Sequence, residues 1–220
     1  MGLPLLKLLP VAGLILGVTV AHAAELNAQV KDLAGKPLAD AVVLAVPTDP
    51  KAAQRGAPPA DAIDQVDKQF VPYVKPIYVG STVRFPNNDN IRHQVYSFSP
   101  AKNFELPLYA GSQAPPVLFD KAGVVILGCN IHDWMIGYIY VADTPFFAKT
   151  AANGAARLAD LPPGDYTVRV WHPGLEGTES ATAQKITVPT DQPGKAEWRL
   201  NVKLPVRIPR VSGAGSSVYP

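Results

Sequence analysis

Three residues whose side chains bind metals lie close together in the sequence. Cys129, His132 and Met135 offer a thiol, an imidazole and a thioether at three-residue spacing. Strongly apolar, strand-like segments flank them at residues 124–128 and 136–142. A compact loop between two strands can turn all three side chains toward one point, so this spacing predicts a metal-binding loop.

A fourth ligand has to come from another part of the chain. Outside the N-terminal segment the histidines are His93, His132 and His172. His93 follows the turn-rich run at residues 86–90 and begins a strand, which is a rigid position from which an imidazole can reach across a sandwich. His172 lies outside this region, and we interpret it as a surface or packed residue. The predicted metal ligands are therefore His93, Cys129, His132 and Met135.

The types of these side chains indicate which metal they suit. A trigonal plane of two imidazoles and one thiolate with a weak axial thioether is the ligand set of type 1, or blue, copper sites. Zinc binds Cys and His but gains little from a thioether. Cys129 is the only cysteine of the chain. In an exported protein, which the first residues indicate below, an unpaired thiol is a liability, an intermolecular link or a group protected by a role such as metal ligation. The alternative is that Cys129 is a buried core thiol and His132 a turn residue.

Two segments resemble the metal-binding parts of cupredoxins. The Cys-x₂-His-x₂-Met loop is similar to the ligand loop of amicyanin, and residues 85–95 resemble the segment that holds the upstream histidine. Residues 70–142 resemble a small cupredoxin of the amicyanin or plastocyanin kind, a type found among methylamine-utilisation proteins. The resemblance implies a Greek-key β-sandwich that binds one type 1 copper ion. In that site His93, Cys129 and His132 would be equatorial ligands and Met135 the axial ligand.

The same resemblance gives expectations for neighbouring residues. Many cupredoxins have Asn directly after the first histidine, where this chain has Gln94. Ile131, Trp134 and Ile136 would form an apolar patch around the edge of His132, which is the usual electron port in cupredoxins. The alternative for these three residues is packing in the core.

The first residues have the pattern of a secretory signal peptide. Lys7 precedes an apolar stretch at residues 8–20, and Ala21-His22-Ala23 has the small-x-small pattern of a cleavage site. We expect residues 1–23 to be removed, the protein to be periplasmic, and no stable membrane insertion after cleavage. An uncleaved anchor is the alternative, because roughly 18 or more apolar residues can span a bilayer. Residues 206–220 are predicted to be a flexible tail.

Composition limits the class of fold and of partner. The chain has 20 basic and 18 acidic side chains, and removal of Lys7 leaves 19 against 18, which argues against nucleic acid as a partner. Its 23 prolines and 17 glycines, with frequent β-branched residues, indicate many short strands joined by turns. We predict an all-β fold. The apolar run at residues 124–128 is typical of a strand buried on both faces.

A second, smaller β-sandwich is predicted from two separated segments. Residues 30–43 and 153–168 resemble parts of carboxypeptidase-regulatory-like, prealbumin-type sandwiches. We predict that residues 24–50 and 143–205 form this discontinuous module and that the cupredoxin domain, residues 61–142, is inserted into it. The alternative is that residues 25–46 supply the first strands of the cupredoxin.

These observations favour an electron carrier that cycles between Cu(II) and Cu(I) with an unidentified redox partner protein. We expect no enzymatic activity and no catalytic residues, because the sequence has no Ser-His-Asp arrangement and no paired-carboxylate motif. Two alternatives are a protein that binds and delivers copper, and a structural interaction module whose cupredoxin domain has no redox role.

Overall fold

The computed structural model describes residues 24–54, 56, 58 and 60–203. The predicted signal peptide (1–23) and the predicted flexible tail (206–220) lie outside these residues. The described chain consists of β-strands, turns and two single-turn 3₁₀-helices at Pro50–Ala53 and Glu179–Thr182, so the predicted all-β class is confirmed. None of its helices has the length and apolar character needed to cross a membrane.

The strands follow one another along the whole described chain. They are β1 (Ala24–Asp32), β2 (Val42–Pro47), β3 (Asp61–Ala62), β4 (Asp64–Val66), β5 (Gln69–Val71), β6 (Val74–Tyr78), β7 (Ser81–Arg84), β8 (His93–Ser99), β9 (Lys102–Tyr109), β10 (Val117–Phe119), β11 (Gly123–Leu127), β12 (Gly137–Ala142), β13 (Phe147–Lys149), β14 (Ala155–Leu161), β15 (Gly164–Trp171), β16 (Gln184–Val188) and β17 (Gly194–Leu200).

Strands from the two ends of the chain form one sandwich, which we call the terminal sandwich (β1, β2 and β13–β17). One sheet has the order β14-β1-β17 and the other the order β13-β2-β15-β16. In β1, Leu26, Ala28 and Val30 are buried while the residues between them are more exposed. Successive side chains of a strand point to opposite faces, so this alternation directs every second residue into the core between the two sheets.

The intervening strands β3–β12 form the second sandwich, which we call the central sandwich. One layer has the order β10-β7-β3, and the other contains β11-β12-β6. The β8–β9 hairpin joins β11 through a bridge between Tyr96 and Gly128. Large buried side chains such as Phe85, Phe119 and Ile139 fill the core of this sandwich.

Strand β2 contacts both sandwiches. Val43 and Ala45 belong to the core of the terminal sandwich. Val42 and Leu44, on the opposite face, pack with Tyr140 and other residues of β6 and β12. Both faces of β2 are therefore buried, as expected for a strand whose sequence is a continuous run of apolar residues.

A polar network accompanies this apolar contact. The Tyr140 hydroxyl donates to Glu179, with 2.7 Å to each carboxylate oxygen. Arg169 donates to Glu179 and, over 2.6 Å, to Asp143. Burial, and then the neighbouring Glu179 carboxylate, raises the pKa of Tyr140 well above its ordinary value. Trp171 packs beside the Tyr140 ring, with 5.4 Å between ring centroids. Hydrogen bonds therefore join β12 of the central sandwich to β15 and the 3₁₀-helix of the terminal sandwich.

The prediction that residues 124–128 are buried on both faces is wrong. Val125 and Leu127 face the core, but Ile126 is 49% exposed. Val124 packs against residues at the interface with the terminal sandwich, but the terminal sandwich does not extend over Ile126. The outer face of β11 is therefore covered at Val124 and faces solvent at Ile126.

Candidate metal centre

The loop that contains Cys129, His132 and Met135 joins β11 to β12. At its start, the Gly128 N–H donates to the Tyr96 carbonyl over 3.0 Å, and the Tyr96 N–H donates back to the Gly128 carbonyl over 3.1 Å. At its end, the Met135 N–H donates to the His132 carbonyl over 2.8 Å. These bonds fix the loop on β8 and close it into a tight turn.

The structure brings three of the four predicted ligands together. Potential ligand atoms of His93, Cys129 and His132 all lie within 4.8 Å of one another. Cys129 Sγ is 3.8 Å from His93 Nδ1, and the two imidazole centroids are 5.2 Å apart. Nitrogen and sulfur ligands at about 2.0 and 2.3 Å from one metal are roughly 3.6 Å apart. The spacing of these donors therefore fits one shared ion.

All three side chains are removed from solvent. The exposed fractions are 0% for His93, 3% for Cys129 and 7% for His132. Among the described residues, these three form the one group of His, Cys, Asp or Glu side chains that is placed to hold a metal ion. The donor set is two imidazoles and a thiol, which suits copper or zinc by its chemistry.

Met135, the fourth predicted ligand, is 1% exposed. It belongs to the core of the central sandwich, as Cys129 does. Both residues also line a surface cavity of about 480 Å³, together with Tyr96, Phe98 and Ile136. The fourth predicted ligand thus shares both the core and this cavity with the cysteine.

Asp89 is a contact of the site that the sequence reasoning missed. His93 Nε2 is 2.7 Å from Asp89 Oδ2, and the same carboxylate oxygen accepts a hydrogen bond from the Lys68 N–H over 2.9 Å. A metal-binding histidine commonly donates its second N–H to a carboxylate. The position of Asp89, four residues before the predicted ligand, did not identify it, because aspartate is common in loops of this kind.

The loop that precedes His93 is held by the side chain of Asn87. Its amide donates to the carbonyls of Ile91 and Tyr109, over 2.9 Å in each case. The Tyr109 hydroxyl donates to the Phe85 carbonyl over 2.5 Å and accepts from Gln65 Nε2 over 2.6 Å. Burial raises the pKa of Tyr109 to about 12. The hydrogen bonds of Asn87 and Tyr109 fix the start of β8, and hence the backbone of His93.

Gln94, which stands where many cupredoxins have Asn, makes a cross-strand contact. Its side chain is largely buried and donates to Glu105 on β9 over 2.5 Å. Backbone hydrogen bonds between Tyr96 and Gly128 join strand β8 to the metal loop.

Three apolar side chains of the metal loop are exposed. Ile131, Trp134 and Ile136 are 46%, 36% and 43% exposed, so they lie at the surface and not in the core. The Trp134 ring is 5.0 Å from the His132 ring between centroids.

His172 lies apart from this site, in the terminal sandwich directly after β15. It is buried, and its Nδ1 accepts a hydrogen bond from the Gly174 N–H over 3.0 Å. The sequence indicates a surface or packed residue, and the structure shows that His172 is packed.

Comparisons with known proteins give similarity over part of the chain. No protein-family model and no curated protein matches it. A copper-containing nitrite reductase from Thermus scotoductus is 29% identical over 44% of this chain and 27% of that chain, with a TM-score of 0.37. A purple cupredoxin from Nitrosopumilus maritimus is 24% identical over 38% of this chain and all of that chain, with a TM-score of 0.34. A mutant of amicyanin in its reduced Cu(I) form is 23% identical over 46% and 98%, with a TM-score of 0.36. The chain is thus similar to these copper proteins over less than half of its own length.

Proposed function

We propose that this protein binds one type 1 copper ion through His93, Cys129, His132 and Met135 and acts as a periplasmic electron carrier. The observation on which the proposal rests is the buried group of two imidazoles and one thiol, with donor atoms within 4.8 Å of one another. The carrier would exchange electrons with a partner protein and would not catalyse bond chemistry.

The chemistry of the four side chains supports copper over zinc. The sulfur atoms of Cys129 and Met135 are soft donors, which suit Cu(I), while the imidazoles suit both oxidation states of copper. Zinc would use the thiolate and the imidazoles, but it has little affinity for the thioether. With Met135 as a fourth ligand, the set therefore suits copper better than zinc.

When bound, copper supplies a one-electron couple between Cu(II) and Cu(I). The chain holds the ligands in fixed positions, because His93 begins a paired strand and the other ligands lie in a loop closed by backbone hydrogen bonds. A rigid site allows the same ligand positions in both oxidation states, so little rearrangement accompanies the gain or loss of an electron.

The surface near His132 supports electron exchange with a protein partner. Trp134 contacts the His132 ring and is partly exposed. Ile131 and Ile136, in the same loop, are also apolar and exposed. A partner that covers these residues would approach the site at His132 without entering it.

Burial of the ligands favours an electron carrier over a copper-delivery protein. Hand-over of a metal requires an acceptor to reach the ligands, whereas His93, Cys129 and Met135 are each 3% exposed or less. Electron transfer needs no such access. Slow loss of copper to a chelator, with rapid electron self-exchange, is the behaviour expected of the carrier.

The sequence supports the cellular location that we propose, and the strand pairing supports the domain organisation. The signal-like residues 1–23 support export to the periplasm. The pairing of β1 with β14 and β17, and of β2 with β13 and β15, supports a discontinuous module around the central sandwich. A methylamine-utilisation type and a prealbumin-type second module remain part of the proposal on sequence resemblance.

The test is the spectrum of the mature protein loaded with Cu(II). We expect an intense visible band from the Cys129 thiolate and narrow parallel hyperfine splitting in electron paramagnetic resonance. Both should disappear in Cys129→Ser. Replacement of His132 by Gln should change the spectrum, while His172→Gln provides a matched control at a buried histidine outside the site and should leave it unchanged.

Two results would contradict the proposal. One is an ordinary tetragonal Cu(II) signal in the wild-type protein. The other is a blue spectrum that survives in Cys129→Ser. Preferential binding of zinc with four protein ligands would point to a structural metal instead.

A further inference from the structure

We propose that Asp89 is a positioning residue that fixes the imidazole of His93 before any metal binds. The carboxylate holds the proton on Nε2 and directs the Nδ1 lone pair toward Cys129. Only the expected effect on copper binding rests on the function proposed above, because the positioning itself is a property of the metal-free chain.

The geometry on the two sides of the imidazole determines where the proton is. A neutral imidazole has one N–H, and an ionised carboxylate can only accept hydrogen bonds. Nε2 lies 2.7 Å from Asp89 Oδ2, so Nε2 is the donor. Nδ1 then keeps its lone pair as an acceptor, which faces Cys129 Sγ at 3.8 Å. A metal at this point would meet an imidazole that is already in the binding form.

Solvent does not compete for this hydrogen bond. The side chain of His93 is 0% exposed and that of Asp89 is 10% exposed. In such surroundings a hydrogen bond to an ionised group is stronger than one between neutral groups. The bond therefore has the strength needed to orient the ring.

Asp89 is itself fixed from two directions. Its N–H donates to Asn87 Oδ1 over 3.0 Å, within the same loop. Its Oδ2 accepts from the N–H of Lys68, over 2.9 Å, at the turn between β4 and β5. Asp67 and Lys68 at this turn have φ of 51° and 58°. This is the pattern of a two-residue hairpin turn of type I′, which residues other than glycine adopt uncommonly. The hairpin thus holds the carboxylate, which in turn holds the ligand.

The first experiment uses the metal-free protein. Two-bond ¹H–¹⁵N spectra report which ring nitrogen of His93 has the proton, and one-bond spectra report the shift of that proton and how slowly it exchanges with water. His93→Gln identifies the signals. In the wild type we expect the proton on Nε2, shifted downfield and protected from exchange. In Asp89→Leu the downfield shift and the protection should be lost.

Further variants separate positioning from a general effect on folding. Asp89→Glu keeps a carboxylate and should restore much of the protected signal. Asp89→Asn keeps an acceptor for the Lys68 N–H but lacks the charge, so its protection should be intermediate. Asp133→Asn removes a carboxylate from an exposed position on the metal loop and should leave the His93 signal unchanged.

The second experiment measures affinity for Cu(I) by competition with a coloured chelator. Loss of an outer-shell carboxylate partner of a metal-binding histidine reduces affinity about 10- to 100-fold. We expect a reduction in this range for Asp89→Leu, recovery in Asp89→Glu, and no change in Asp133→Asn.

The outcomes distinguish this proposal from the proposed function. A proton on Nδ1 in the wild type, or a protected Nε2 proton in Asp89→Leu, overturns the role of Asp89, whatever metal the site binds. A protected Nε2 proton that depends on Asp89, in a protein with no type 1 copper spectrum, supports positioning while contradicting the blue-copper function.

Discussion

Removal of one hydroxyl at the interface between the two sandwiches tests whether they stabilise each other. Tyr140 on β12 donates to both oxygens of Glu179, which follows β15 in the terminal sandwich. Tyr140→Phe deletes this donor and retains the ring that packs against Trp171. Glu179 keeps its bond to Arg169, so the variant does not leave an unpaired carboxylate.

The expected loss of stability follows from the type of bond and its exposure. A hydrogen bond to a charged group contributes about 1.5–3 kcal/mol. The Tyr140 residue is 4% exposed, and the Glu179 side chain is 22% exposed, so water weakens the bond only in part. We expect Tyr140→Phe to lower the free energy of unfolding by about 2 kcal/mol. With a urea slope of about 2 kcal/mol per molar, the unfolding midpoint would fall by about 1 M.

Urea denaturation of the metal-free protein, followed by fluorescence and far-ultraviolet circular dichroism, provides the measurement. Tyr78→Phe is the matched control, because within the described residues no hydrogen bond of the Tyr78 hydroxyl is found. A double-mutant cycle with Glu179→Gln isolates the coupling between Tyr140 and Glu179. If Tyr140→Phe costs no more than Tyr78→Phe, or if the cycle gives no coupling, the network does not stabilise the interface and our reasoning is wrong.

Two further predictions concern alkaline stability and backbone conformation. Burial raises the pKa of Tyr109 from 10.0 to about 12. The folded state therefore favours the neutral phenol, and this contribution to stability is fully present below pH 10. It amounts to about 3 kcal/mol and is lost as the pH rises toward 12. Tyr109→Phe should make the pH dependence of unfolding shallower in that window; an unchanged slope in urea titrations would contradict this. Gly154 and Gly35 both have positive φ, but a Cβ at Gly154 would collide with the Val30 carbonyl, whereas the space beside Gly35 is open. Gly35→Ala should therefore cost about 1–2 kcal/mol and Gly154→Ala clearly more, and equal thermal shifts would show that crowding has no effect.

Much of the site could be predicted because its signal is local in sequence. Cys129, His132 and Met135 are chemically distinctive side chains at fixed spacing in one loop. His93 could be included because few histidines are present and because it follows a turn. The structure places three of these donors together, and it buries Met135 in the same core as the cysteine.

The contacts that orient the site could not be obtained in the same way. Asp89 binds His93 only because the loop before β8 rests on the β4–β5 hairpin, where Lys68 donates to the same carboxylate. Aspartate is common in loops, so its presence there indicates a turn and not a partner. The side chain of Gln94 likewise could not be placed until the pairing of β8 with β9 put Glu105 opposite it.

The sequence by itself determined the all-β class and the chemistry of the candidate ligands, because both depend on residue types and on spacing within short segments. The tertiary structure decided which faces of the strands are covered. Residues 41–46 and 124–128 are both apolar runs, yet β2 is buried on both faces while Ile126 of β11 faces solvent. The difference arises because the sheet of β2 packs on β6, β12 and the start of β11 and extends no further. Burial depends on contacts between segments far apart in the chain, and a local pattern of apolar residues does not specify where such contacts end.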